Sequence, residues 1–164
     1  MDIQKAIGVL ESSIPNASEG LPEEVFLFAT RITPMVNVDL LIKNEQNQTL
    51  LTWRDDGYCT PGWHVPGGII RCKETIAERL KNVAEAELGA AIEIGAKPLA
   101  MHEIIHKSRK NRGHFISLLY PCKLLGPPDE RLRCEGTPRV NQWKWHSSCP
   151  DDMLSTHEIY REFI

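Results

Sequence analysis

The stretch that decides the fold runs GGIIRCKETIAERLKNVAEAELGA, from Gly67 to Ala90: a glycine pair, an acidic segment of helical spacing, then another glycine. The spacing predicts a helix from about Lys73 to Leu88, stopped by Gly89, because a residue without a Cβ closes a helix in the left-handed conformation at low cost. On a helical wheel Glu74, Glu78 and Glu85 share one face, expected to be solvated, while Ile76, Leu80 and Val83 define a buried one. Glu87 falls in the middle of the buried face. A carboxylate aimed inward near a helix end must meet a cation, hydrogen-bond donors or a wet cavity, unless the helix end lets it reach water. The glycine pair in front of the helix lets backbone groups come close to a ligand.

Working outward, Trp63 to Ile70 reads as a short strand segment centred on the turn Pro66-Gly67-Gly68. Before it, the apolar run Met35 to Ile42, the polar turn NEQNQ and the segment Thr49 to Trp53 suggest a β-hairpin, followed by the loop RDDGYCTPG. After the helix come a strand from Ile92 to Ile105, a basic turn KSRKNRG and an apolar strand from His114 to Cys122. The loop GPPDERLRCEGTP, a strand from Val140 to Trp145 and a terminal helix from Asp151 to Phe163 complete the chain. Ahead of all this, Ile3 to Leu10 and Pro22 to Arg31 are helix candidates separated by SSIPNASEG. The expected class is α/β of the α+β kind, with a mixed sheet in layers, a helical extension over residues 1–32 and the main domain over 33–164.

Composition narrows the function. The 164 residues, 41% hydrophobic and 25% charged, suit one ordinary globular domain. A net charge of −3 lacks the basic footprint of a protein that grips long nucleic acid, so any anionic ligand must be met by a local site. Apolar runs such as Phe115 to Tyr120 fall far short of the roughly 20 residues of a membrane span, and MDIQKAIGVLESS lacks a signal-peptide pattern. A cytoplasmic protein is expected. Five cysteines without a CxxC or close Cys/His spacing point to reduced thiols rather than a zinc site.

Gly68, Glu74, Glu87 and Gly89 stand at the spacing of the Nudix box, G-x5-E-x7-R-E-U-x-E-E-x-G-U with U bulky and apolar, and the segment resembles it. The middle of the box is altered: Asn82, Val83 and Ala86 replace the arginine and two of the glutamates. The same loss resembles the GDP-mannose mannosyl hydrolase branch of the Nudix hydrolases, as do PGWHVPGG, FATRITPMVNVDLLI, AELG and, weakly, HEIYREFI.

The resemblance implies a Nudix-like α/β/α sandwich and a Mg²⁺-dependent hydrolase, with Mn²⁺ as a possible substitute. Its small-molecule substrate would be a nucleoside diphosphate joined to another group. A nucleotide sugar like GDP-mannose, split into nucleoside diphosphate and sugar, is the first expectation. A pyrophosphatase releasing a nucleoside monophosphate and a catalytically weak nucleotide-binding module are the alternatives. Carried onto this chain, the metal falls to Glu87 and the Gly67 carbonyl, the phosphates to Arg54, and substrate recognition to Asp39. A buried Asp39 would equally serve an internal hydrogen-bond network.

His106 and His114 take positions that line the site in the family, the 107–112 turn is a candidate phosphate loop, and Arg71 stands in for an arginine replaced by Ile69. Glu74 is expected to complement the helix dipole and pair with Lys73 or Arg71. The Gln-His pair that provides a metal ligand and a base in the branch aligns with Arg139 and Val140, so the base passes to His146, Glu103 or His114 as candidates. A homodimer joined partly through the apolar EVFLFAT is also implied.

Overall fold

The apolar run Met35–Ile42 forms β1, and its alternation divides the interior into two cores. Val38, Leu40 and Ile42 face one way, toward the long helix, while Asp39 and Leu41 face the other. The computed structural model describes residues 2–164. Beyond α1 (Ile3–Ser12) and α2 (Glu23–Ile32), the elements after β1 are β2 (Thr49–Arg54), β3 (Gly62–His64), β4 (Gly67–Ile69) and α3 (Ile76–Leu88). Then come β5 (Ile92–Ile94), β6 (Ala100–Ile105), β7 (His114–Leu124) and β8 (Trp143–His146), with short 3₁₀ helices at Glu130–Leu132 and Ser155–Phe163.

Two sheets result. The larger is ordered β4-β1-β7-β5, with β6 also paired to β7; it is mixed, since β1 runs parallel to β7 and antiparallel to β4. The smaller is β3-β2-β8, antiparallel throughout. Leu80, Val83, Ala84 and Leu88 of α3 fill the first core with Val38, Leu40, Ile42 and Trp143. Leu41, Leu51, Trp63, Leu119 and Tyr160 fill the second. This is the mixed α/β layering expected from the order of elements.

The structure changes several local expectations. The strands β1 and β2 are not a paired hairpin: they belong to different sheets, and the turn between them is closed by the Lys43–Thr49 bridge. Both are buried on both faces over much of their length, and a two-stranded ribbon cannot cover two buried faces. The segment Ile92 to Ile105 is two strands, interrupted where the Gly95 amide turns to donate to the Pro121 carbonyl. Helix α3 begins later than Lys73, which itself has a φ of 61°; Thr75 caps it by a reciprocal box with Glu78. The terminal segment is 3₁₀ rather than α-helical, anchored by the fully buried Tyr160. No helix among the described residues is long and apolar enough to cross a membrane.

Candidate active site

The glycine turn and the end of α3 meet at one end of a cavity of about 680 Å³, a size suited to a nucleotide-like ligand. Gly67 is dictated by close approach: a Cβ there would lie 2.0 Å from Asp39 Oδ1 and 2.8 Å from the Val38 carbonyl oxygen. The turn is thereby pressed onto β1 and faces the last turn of α3. Gly89, with φ of 58°, ends the helix as expected and fixes where Glu87 points.

Glu87 lines the cavity. Its Oε2 accepts from the Thr52 hydroxyl at 2.8 Å and its Oε1 from the Gly67 amide at 3.3 Å. His64 Nε2 stands 3.7 Å from Oε2, and no Lys or Arg among the described residues forms an ion pair with the carboxylate. Burial pushes the Glu87 carboxyl up to about 7, against the pull of those two hydrogen bonds. A carboxylate so placed is short of positive charge. Among the described residues no three His, Cys, Asp or Glu side chains group to hold a metal, so a cation here would rest on Glu87, a backbone carbonyl of the turn and few other protein atoms. That sparse set fits a divalent ion that keeps water and substrate phosphate among its ligands.

Asp39 lies under the cavity floor rather than on its wall. It is 1% exposed and accepts from the Ser117 hydroxyl at 2.6 Å, the Tyr160 hydroxyl at 2.5 Å and the Asn37 amide at 2.9 Å. Burial raises its carboxyl to about 6 despite these donors. Of the two uses open to Asp39, the internal network is the one built; Asn37, Ser117 and Tyr160 themselves reach the cavity surface.

Basic side chains also line the cavity. Arg54 donates from Nε to Asp56 Oδ2 at 2.7 Å and closes a second contact to the same oxygen through Nη2. Arg112 Nη1 stands 3.8 Å from that oxygen, and its guanidinium lies over the Tyr58 ring at 4.6 Å. Arg109 and the exposed Arg71 also line the cavity, so half of the basic turn turns inward while Lys107 and Lys110 do not. His106 lines the cavity with a buried Nε2 that has no hydrogen-bond partner, its pKa lowered by burial and by Arg109. His114 is not brought to the site: its Nε2 pairs with Glu103 at 3.2 Å, and neither lines the cavity. His146 is likewise outside it, packed edge-on against Trp63. Val140 lines the cavity; Arg139 does not.

Glu74 requires a correction. It is not a solvated dipole partner of Lys73 or Arg71, because its side chain is 8% exposed and gripped by Arg79 through two 2.8 Å bonds. The Arg71 amide and Asn82 side chain also donate to it, at 2.9 Å each. Burial raises its carboxyl, but these donors outweigh it and carry the value down to about 2. Arg79, His64, His157 and Asp56 are the residues that sequence reasoning passed over. His64 alone carried a signal, a polar residue inside the otherwise apolar strand leading to the glycine turn.

Two packed sheets, a glycine turn on the central strand and a following helix that returns one buried carboxylate to that turn define the Nudix fold. The chain belongs to the NUDIX domain family, whose match spans residues 33–159. It is 32% identical over 77 residues to the low-salt glycan biosynthesis protein Agl8 of Haloferax volcanii, covering 47% of this chain and 49% of that one, about half the relative's length. In structure it resembles the MutT NUDIX hydrolase of Burkholderia pseudomallei (TM-score 0.62, 20% identity, 80% of this chain and 98% of that one). It also resembles a UDP-X diphosphatase (TM-score 0.58, 18% identity, 99% and 67%). At these identities the solved structures speak for the fold.

Proposed function

We propose that the protein is a Mg²⁺-dependent hydrolase of nucleoside diphosphates joined to a second group, most readily a nucleotide sugar. The observation that carries this reading is the buried Glu87 carboxylate, short of an ion-paired cation, in the same cavity as Arg54, Arg71, Arg109 and Arg112. An anion such as a diphosphate derivative suits a site that combines an acceptor for metal with guanidinium donors. When bound, Mg²⁺ neutralises charge developing on the diphosphate. Glu87 and the Gly67 carbonyl hold the ion; Thr52 and the Gly67 amide fix the carboxylate. Arg54 exchanges Asp56 for a phosphate, and His157 presents its Nε2–H to the cavity because Nδ1 accepts from the Val65 amide at 3.2 Å. None of the base candidates His146, Glu103 and His114 lines the cavity, whereas His106, expected only to line the site, does, and it is the first base to test.

The test is a screen of nucleotide sugars, nucleoside triphosphates and dinucleotides with Mg²⁺, with the active substrate then turned over in ¹⁸O-water. Label in the released sugar marks attack at the anomeric carbon; label in a phosphate marks the pyrophosphatase alternative. Tight nucleotide binding without turnover of any compound would leave a binding module and end the hydrolase reading. The likeness to Agl8, a low-salt glycan biosynthesis protein, supports looking first among nucleotide sugars. A cytoplasmic homodimer completes the proposal, with the exposed Ile3, Val9, Phe28 and Ile32 of the first two helices as its contact face. Gel filtration giving a monomer would remove that part.

A further inference from the structure

The geometry assigns to His64 the role of a nitrogen ligand beside Glu87, so that the metal site is a mixed nitrogen and oxygen site that holds ions such as Co²⁺ or Zn²⁺ more tightly than the oxygen donors alone would. This rests on the reading of Glu87 as a metal carboxylate and adds to it a residue and a metal preference.

The case begins with the tautomer. His64, 8% exposed on β3, has Nδ1 2.8 Å from the Thr52 carbonyl oxygen. A carbonyl has no proton to give, so Nδ1 carries the hydrogen and, in the neutral ring, Nε2 carries the lone pair. That Nε2 faces Glu87 Oε2 at 3.7 Å. The Thr52 hydroxyl is 3.4 Å from Nε2, but its single proton goes to the closer Glu87 Oε2 at 2.8 Å.

With Glu87 ionised, two acceptors face each other 3.7 Å apart, an arrangement that a cation resolves. Two donors each about 2.1 Å from one ion stand roughly 3 to 4.2 Å apart, and the observed separation falls inside that range. The Thr52 carbonyl does for His64 what outer hydrogen bonds do for metal-bound imidazoles generally: it fixes the tautomer and the ring plane. An imidazole in the set favours later transition ions over Mg²⁺, which prefers oxygen. His157, whose ring centroid is 5.5 Å from that of His64, is excluded as a ligand, because its Nδ1 accepts from Val65 and its cavity side is an N–H donor. Adjacent histidines are thus held in opposite tautomers, one to accept and one to donate.

The decisive experiment loads the full chain with Mn²⁺ as a paramagnetic probe and records pulsed EPR (electron spin-echo envelope modulation). The expected result is modulation from a directly bonded ¹⁴N that changes on ¹⁵N-histidine labelling, persists in His157→Gln and disappears in His64→Gln. The labelling arm uses the unmutated protein, so it stands even if His64→Gln fails to fold. Calorimetry should also show Co²⁺ affinity falling roughly tenfold or more in His64→Gln while Mg²⁺ affinity stays within a few-fold. Mn²⁺ bound in a Glu87-dependent way without nitrogen coupling overturns the His64 assignment and leaves the metal reading of Glu87 intact. Mn²⁺ binding that is absent, or indifferent to Glu87→Gln, overturns both.

Discussion

Replacing Arg79 by methionine tests whether the buried Glu74–Arg79 pair, rather than the metal carboxylate, braces the glycine turn. Arg79 supplies two of the donors on Glu74, and its Cδ lies 3.3 Å from where a Gly68 Cβ would stand, so the pair joins α3 to the underside of the turn. The variant leaves Glu74 with only the Arg71 amide and Asn82. Glu74 is held near 2 rather than its ordinary 4.5, a difference of about 2.5; at ~1.4 kcal/mol per pH unit that is at most about 3.4 kcal/mol. Water at the outer edge of the pair screens part of it, and about 2–3 kcal/mol is the expected loss, at the low end of what breaking a buried pair costs. For a chain of this length that is roughly 5–10 °C in Tm.

The sign in pH follows from a depressed carboxylate: the stabilisation is present above about 4.5 and is lost as pH falls through 4.5 toward 2. Urea melts of wild type and Arg79→Met should therefore differ by the full amount at pH 7 and converge near pH 2.5. Because the turn carries Gly67, metal affinity should weaken alongside. A loss below 1 kcal/mol at pH 7, or one independent of pH, would refute the bracing argument.

Three further outcomes are expected. Glu87→Gln should cut turnover by about 10²-fold or more yet leave the metal-free protein at pH 8 as stable as wild type or more so, since burial already works against the charge; turnover assays and thermal melts check both halves. Tyr160→Phe removes a 2.5 Å bond to fully buried Asp39 and should cost about 1.5–3 kcal/mol above pH 6, where that carboxyl is ionised, and less below it, as urea melts at pH 7.5 and 5 would show. Asp56→Asn frees Arg54 and Arg112 from their shared carboxylate, so KM for a diphosphate substrate should fall several-fold with kcat little changed in steady-state kinetics.

What the sequence disclosed and what it withheld separate along physical lines. Gly89 and the inward aim of Glu87 were legible because they depend on local spacing, a stop and the phase of one helix, whereas Gly67 and Gly68, read as a turn, belong to β4 paired with β1. The strand spans of β1 and β7 were legible for the same reason, being long apolar runs. Glu74 was misread because its partner, Arg79, is chosen by packing beneath the turn rather than by helical phase alone. The supposed hairpin failed because period-2 patterning says that a strand is buried and not which sheet buries it. His157 was invisible, since its place beside His64 depends on how the terminal 3₁₀ segment crosses β3. His114 was placed by resemblance alone, and β7 turns it to the outside with Glu103.

The site joins parts from regular elements and from loops. Glu87 and Gly67 sit on α3 and β4, whereas Arg71, Arg109 and Arg112 sit on loops and Arg54 ends β2, with Asp56 joining Arg54 to Arg112. Arg112 ties Asp56 to the N-terminal helices: its amide donates to Thr30 of α2 at 3.1 Å, and its guanidinium lies between Asp56 and the faces of Tyr58 and Phe26. Tyr58 in turn donates to Glu23 at the start of α2. On the proposed reading, a phosphate that takes Arg54 or Arg112 from Asp56 also loosens the seat of α2. The segment EVFLFAT would then serve its own cavity as well as any partner, since Phe26 and Ala29 already form part of the wall.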